Sequence, residues 1–209
     1  MTPPALTIVG RSSSSFTRVV RIFAAELAVP YAFEIVRDLQ SLKVDDYGGN
    51  PALKLPSLRT PQATWFGALN VCRELARCTE RPEHVIWPEA LEQPLLANAQ
   101  ELVLHALSTE VGLIMSGLGE QPADTPHRGK MSRSLDNVLS WLDAHLEQAL
   151  VALPSERQLS YLEVTLFCLI DHLDFRKVMP TAGYAQLTAF REAFGARAAC
   201  KETAYRFDA

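Results

Sequence analysis

The sequence predicts an α/β first half followed by an all-helical second half. Residues 1–78 alternate short apolar runs with helix-period segments, whereas from residue 89 onward one helical pattern follows another. Between them, Thr79-Glu80-Arg81-Pro82-Glu83-His84-Val85-Ile86-Trp87-Pro88 carries two prolines and mixed charge, the composition of a connector. The expected organisation is a first domain over 1–78, a linker over 79–88 and a helical domain over 89–209.

In the first half, Leu6-Thr7-Ile8-Val9 is a β-rich run ended by Gly10. Four serines, Ser12 to Ser15, precede Val19, Val20, Ile22, Phe23 and Leu27, which recur at helical spacing. Any of these serines can cap that helix by accepting from a free backbone N–H. Ala32-Phe33-Glu34-Ile35-Val36 reads as a second strand and Leu53-Lys54-Leu55-Pro56-Ser57-Leu58 as a third. Pro56 cannot donate to a ladder, so it marks an edge, a bulge or a cis bond. Thr64-Trp65-Phe66 is a short fourth strand, and Leu69, Val71, Cys72, Leu75 and Ala76 form a helix face. The order β-α-β, then β-β-α, suggests a small sheet flanked by helices.

In the second half, Leu91, Leu95, Leu96, Ala99, Leu102, Val103, Ala106, Leu107 and Leu113 keep helical period from Glu89 to about Leu118. Gly117, Gly119 and Pro122 end it. A second helix spans about Arg128 to Leu150 and is stopped by Pro154. Ser160-Tyr161-Leu162-Glu163 is a capping box, in which the serine satisfies one free N–H and the glutamate reaches back to another. The segment it opens is apolar nearly all round, as a central buried helix would be. Two shorter helices follow, about 185–194 and 196–202.

Of 209 residues, 48% are hydrophobic and 21% charged, an ordinary globular mixture. Twenty Lys and Arg against 24 Asp and Glu leave a net charge of −4, which disfavours a nucleic-acid partner. No apolar run approaches the ~20 residues of a membrane span. Met1 to Gly10 lacks the layout of a secretory signal. Cys72, Cys78, Cys168 and Cys200, with His84, His127, His145 and His172, show no metal-ligand spacing. The cysteines therefore read as reduced thiols of a cytoplasmic protein without a metal, Cys72 and Cys168 being core thiols. Gly117 and Gly119 form no phosphate-binding signature.

Four local patterns resemble the glutathione transferase superfamily. Gly10-Arg11-Ser12-Ser13-Ser14-Ser15-Phe16-Thr17-Arg18-Val19-Val20-Arg21 is similar to its first turn, where a Ser, Cys or Tyr precedes an Arg-rich helix start. Asn50-Pro51-Ala52-Leu53-Lys54-Leu55-Pro56-Ser57-Leu58 resembles its Asn-Pro…Lys-Val-Pro-x-Leu segment, whose proline is cis. Ser160-x-x-Glu163 looks like the capping box of its central helix, and Leu173-Asp174-Phe175-Arg176 is similar to a segment of some bacterial members. The resemblance spans nearly the whole chain. It implies a thioredoxin-like N-terminal domain packed on a C-terminal helical domain, typically as a homodimer.

The resemblance also implies a chemistry. The family ionises the glutathione thiol, whose unperturbed pKa is near ~8.5, with a hydroxyl donor and the positive end of a helix. Aligning Arg18 and Arg21 with the family's helix start places Ser14 at the activating position. Ser12, Ser13 and Ser15 are the alternatives, and the run also reads as a helix cap within a solvated turn. Arg18 and Arg21 read as surface or ion-pair residues. A cis Pro56 would turn the Leu55 backbone outward to pair with the cysteinyl backbone. Lys54 would meet the glycyl carboxylate, and reads equally as an exposed lysine. His105, Ser108 and Met115 lie on the helix that in the family borders the second-substrate pocket. A histidine there reads more simply as a core or interface residue.

One segment departs from the pattern. Where the family carries Glu-Ser or Asp-Ser for the γ-glutamyl group, this chain has Gly67-Ala68. The Ala68 N–H and the helix dipole remain as carboxylate ligands, with Asn70 a possible substitute. Two readings follow. One is a detoxifying transferase that conjugates or thiol-transfers glutathione, its co-substrate, to a small apolar electrophile. The other is a non-enzymatic member that binds an apolar ligand or a partner protein with weak or no glutathione affinity. Phe16 stands where an isomerase class carries its cysteine, and no cysteine lies in the turn, so isomerase and cysteine-based thiol-transfer readings are disfavoured.

Overall fold

The computed structural model describes residues 6–79, 84–117 and 125–208. The chain divides into two units. One holds the described residues up to Val85 together with those from Ala196 onward; the other is Ile86–Gly195. Gly119, Pro122 and most of the expected linker, 80–83, lie outside the described residues.

In the first unit, strands β1 (Thr7–Gly10), β2 (Ala32–Ile35), β3 (Ser57–Arg59) and β4 (Thr64–Phe66) form a mixed sheet of order β2-β1-β3-β4. β1 runs parallel to β2 and antiparallel to β3, and β3 is antiparallel to β4. Helices α1 (Ser15–Glu26) and α2 (Ala68–Arg77) pack against each other. Ile8, Val9, Val20, Ile22, Phe23, Leu58, Val71 and Leu75 are fully buried and form the core, each contributing roughly 1.5–3 kcal/mol of burial. Gly10 lets the end of β1 approach α1: a Cβ there would lie 2.4 Å from Thr17 Cγ2. This is the thioredoxin-like arrangement expected for the N-terminal half.

The third strand differs from the sequence reading. It starts only at Ser57, because Leu53 takes a left-handed φ of 52° and the Leu55–Pro56 bond is cis. The residues before the proline are therefore an approach loop and not a ladder.

The helical unit contains α3 (Pro94–Ser116), α4 (Pro126–Ala152), α5 (Tyr161–Arg176) and α6 (Ala185–Gly195). Contacts run between α3 and both α4 and α5, and between α6 and both α4 and α5. α3 begins five residues later than the apolar period suggested. Pro94 lacks an N–H to continue a helix from Glu89 but is well suited to the first helical position. A short 3₁₀ turn, Pro88–Ala90, fills part of the gap.

α5 is buried along nearly its whole length, as its composition required. Two buried polar pairs cross from α3 to α5. Gln100 Nε2 donates to Thr165 Oγ1 at 3.2 Å, and His172 Nδ1 lies 2.9 Å from Glu110 Oε1. On α6, Tyr184 precedes the helix and donates to Asp136 of α4 at 2.7 Å. Burial and that carboxylate push the Tyr184 hydroxyl up to about 12, so it stays a donor throughout the neutral range.

The capping box is present with one difference. Ser160 Oγ accepts from the Glu163 N–H at 3.0 Å, while the Glu163 carboxylate receives the Ser160 hydroxyl at 2.7 Å. Arg157 adds a two-pronged contact to the same carboxylate, both arms at 2.7 Å. Ser160→Ala is expected to lower stability by about 1–2 kcal/mol, read as a shift of the urea midpoint at unchanged slope.

The final described segment, read from sequence as part of the helical domain, groups with the sheet unit. Helix α7 (Ala198–Glu202) packs on α1. Arg197 forks onto Glu26 at 2.7 and 2.9 Å, and Arg18 Nη2 donates to the Cys200 carbonyl at 3.1 Å. Arg18 and Arg21 are thus not surface residues. Both are buried, Arg18 beneath the Tyr205 ring (4.1 Å to its centroid) and Arg21 beside Phe33 (4.7 Å). No helix among the described residues is long and apolar enough to cross a membrane.

Candidate functional site

Sheet register gathers the sequence-predicted residues of the first unit at one end. Val9 pairs with Ser57, and Ser57 pairs with Phe66. Because both pairings are antiparallel, the chain leaving β1, entering β3 and leaving β4 emerges on the same side. The Arg11–Ser14 turn, the cis Leu55–Pro56 bond and Gly67–Ala68 are therefore neighbours. One bond joins two of them directly: the Gly67 N–H donates to the Pro56 carbonyl at 3.2 Å.

Ser14 is the N-cap of α1. Its backbone is extended, and its Oγ accepts from the Thr17 N–H at 3.3 Å. A hydroxyl has two lone pairs and one proton, so capping leaves the proton available for an anion. The first turn of α1 contains no acidic residue. The positive end of the helix dipole lies at the same place. The four serines differ in setting: Ser12, Ser13 and Ser15 are buried, and Ser14 is half-buried.

Leu55 is half-buried and precedes the cis bond, Pro56 is buried, and Lys54 is exposed. This loop is shaped by Asn50, buried itself, whose amide donates to the Lys54 carbonyl at 2.8 Å and whose Oδ1 accepts from Ala52 at 3.0 Å. Sequence reasoning quoted Asn50 in a motif but gave it no task; its task is to hold the approach to Leu55.

Gly67 is the N-cap of α2, with φ 80° and ψ 145° and no side-chain cap. Space around it is open, yet that conformation strains any L side chain by roughly 1–3 kcal/mol. Ala68 is buried, and the first turn of α2 contains no acidic residue. The Asn70 amide donates one of its two N–H groups to the Phe66 carbonyl at 3.2 Å. At Gly67 and Ala68 the γ-glutamyl end of the expected site thus offers backbone N–H groups and a helix dipole.

The α3 candidates belong to the helical unit. His105 is exposed and pairs with Glu101 at 3.0 Å, so it is not a core histidine. Ser108 is exposed and Met115 is 44% exposed. A cleft of about 430 Å³ lies between α3 and α4, lined by Leu102, Lys130, Arg133, Asn137, Val138 and Trp141, and includes none of these three. Among the described residues, no cluster of three or more His, Cys, Asp or Glu is arranged to hold a metal ion. Cys72 and Cys168 are fully buried.

Sequence reasoning missed one contact at the serine turn. The Ser12 N–H donates to Asp208 Oδ2 at 2.8 Å, across 196 residues of chain. No local signal could have revealed it.

No protein-family profile matches the sequence. No curated protein matches it either. Solved structures do match in fold. A glutathione S-transferase from Methylobacillus flagellatus with glutathione bound is 20% identical, covers 96% of this chain and 100% of its own, and has a TM-score of 0.77. One from Methylobacterium radiotolerans in complex with glutathione sulfonate is 16% identical over 98% and 97% of the two chains, with a TM-score of 0.74. A glutathione transferase from Populus trichocarpa is 17% identical over 95% and 97%, with a TM-score of 0.67. Together with the sheet order, the cis proline and the helical second unit, these likenesses show that the chain has the glutathione transferase fold.

Proposed function

We propose that the chain binds glutathione and conjugates or thiol-transfers it, through a serine-stabilised thiolate, to a small apolar electrophile. The observation that carries this reading is the convergence of a hydroxyl-capped helix, a cis-proline backbone edge and a second helix N-terminus at one end of the sheet. In this reading Ser14 Oγ donates to the sulfur and, with the dipole of α1, favours the thiolate. The Leu55 backbone, held outward by Pro56, pairs with the cysteinyl residue. Lys54 meets the glycyl carboxylate. The Gly67–Ala68 segment binds the γ-glutamyl carboxylate through N–H groups at the start of α2. The solved structures with glutathione or its sulfonate, similar in fold, support the class of ligand.

A second reading is favoured by one specific feature. Gly67 and Ala68 provide neither the acid nor the hydroxyl that the γ-glutamyl group would receive in the family's pattern. Each lost charged hydrogen bond costs roughly 1.5–3 kcal/mol, so two weaken binding by ~10²–10⁴-fold. A chain so weakened would serve as a binding module for an apolar ligand or partner protein.

Calorimetric titration with glutathione separates the two. Wild type is expected to bind weakly, and Ala68→Ser to bind about tenfold tighter by restoring one hydroxyl at the α2 N-terminus. Serine at 68 avoids the strain that any side chain at Gly67 would meet. Absence of heat from both folded proteins at millimolar glutathione would establish the binding-module reading instead.

A further inference from the structure

We propose that segment 203–208 is a built-in competitor for the serine turn, docking the Asp208 carboxylate where an anionic ligand must be held. The inference rests on the reading of that turn as the thiolate site and concerns its regulation. The segment has two firm anchors. Thr203 is buried and donates its hydroxyl to the Ala199 carbonyl at 2.7 Å. Tyr205 lies over the buried Arg18 guanidinium at 4.1 Å. Beyond them the chain has no helix or strand, and Phe207 is 65% exposed. Asp208 then turns back to accept from the Ser12 N–H at 2.8 Å.

Its carboxylate therefore sits two residues before the α1 N-cap, drawing on the same positive backbone edge that a thiolate needs. Two negative groups at one small donor site repel, so each weakens the other. The turn has further donors in reserve: Ser12 Oγ and Ser15 Oγ are buried and make no hydrogen bond among the described residues. Its donor capacity thus exceeds what Asp208 uses. Asp208 itself is held by a charge-assisted hydrogen bond on an irregular strap, and its release leaves the hydrogen bonds of α1 and α7 intact. If the strap is docked about nine-tenths of the time, apparent ligand affinity falls about tenfold, in proportion to the open fraction.

The test uses the full chain, with Asp208→Ala and Tyr205→Ala titrated against glutathione and Ser12 amide exchange followed by mass spectrometry. The expected result is about tenfold tighter glutathione in both variants, with faster Ser12 exchange before ligand is added. Asp208→Glu should restore the wild-type values. Equal affinity in all proteins would overturn the strap while leaving the glutathione reading intact. Weaker binding in Asp208→Ala would also overturn it, by making the carboxylate a helper of the ligand. If Asp208→Ala exchanges fast at Ser12 yet binds no glutathione, the site reading itself falls and the competition falls with it.

Discussion

Ser14→Ala is expected to reduce glutathione conjugation of a small electrophile by about 10²–10³-fold in kcat, the loss typical of removing one donor to a developing anion. Ser14 also caps α1, so the same change should cost about 1 kcal/mol of stability, and the two effects must be separated. Ser14→Asp does this. Aspartate caps as well as serine, which should keep the unfolding midpoint near wild type. It has no proton to donate at neutral pH and adds a charge that repels the thiolate. Turnover should therefore fall at least as far as in the alanine variant, with stability retained. Activity surviving in both variants would remove Ser14 from the chemistry.

The largest stability effect is expected at the pair buried between α3 and α5. Glu110 and His172 are almost inaccessible, and Glu110 Oε2 has no hydrogen-bond partner among the described residues. Burial raises the Glu110 carboxyl above its ordinary value of 4.5, although the His172 hydrogen bond and charge, and Arg176, pull it down. His172→Ala removes the largest of those opposing influences and leaves a carboxylate in apolar surroundings. A loss of about 3–5 kcal/mol is expected near pH 7.5.

The pH dependence has a definite sign. A folded-state carboxyl raised above its unfolded value binds its proton more tightly when folded. Its stabilising contribution is full below 4.5 and is lost as pH rises through the raised value. The penalty of His172→Ala should therefore be smaller near pH 4.5 than near pH 7.5. Glu110→Gln in the same background should flatten that difference. Urea unfolding at the two pH values measures both, and an equal loss at each would show that charge is not the cause.

Local features of the fold were legible because short-range physics decides them. Thr64–Phe66 was read as a strand with the bounds observed, and Ser160 and Glu163 announced the start of the buried helix. Pro56 limited its strand to an edge, a bulge or a cis bond, and the last is present. Other features depend on partners distant in sequence. Arg18 and Arg21 read as surface or ion-pair residues because cationic side chains seldom go inside unpaired, and nothing nearby predicts Tyr205 or Phe33 as their covers. Apolar period extended α3 back to Glu89 because periodicity does not register the missing N–H of Pro94. The site is divided likewise. Sequence indicated the serine turn, Leu55 and the Gly67–Ala68 departure, while Asn50's grip on the loop and Asp208 at Ser12 needed three dimensions.

The sheet unit is assembled from both extremities of the described chain, with the whole helical unit encoded between them. During synthesis on the ribosome, the helical unit is complete while α1 still lacks the residues that meet Arg18 and Glu26. The nascent sheet unit must then wait, with the buried Arg18 uncovered, until the segment that carries Cys200 and Tyr205 has been made. Translation thus orders the assembly: the uninterrupted unit can fold as it emerges, and the divided one only after the segment from Ala196 onward has emerged.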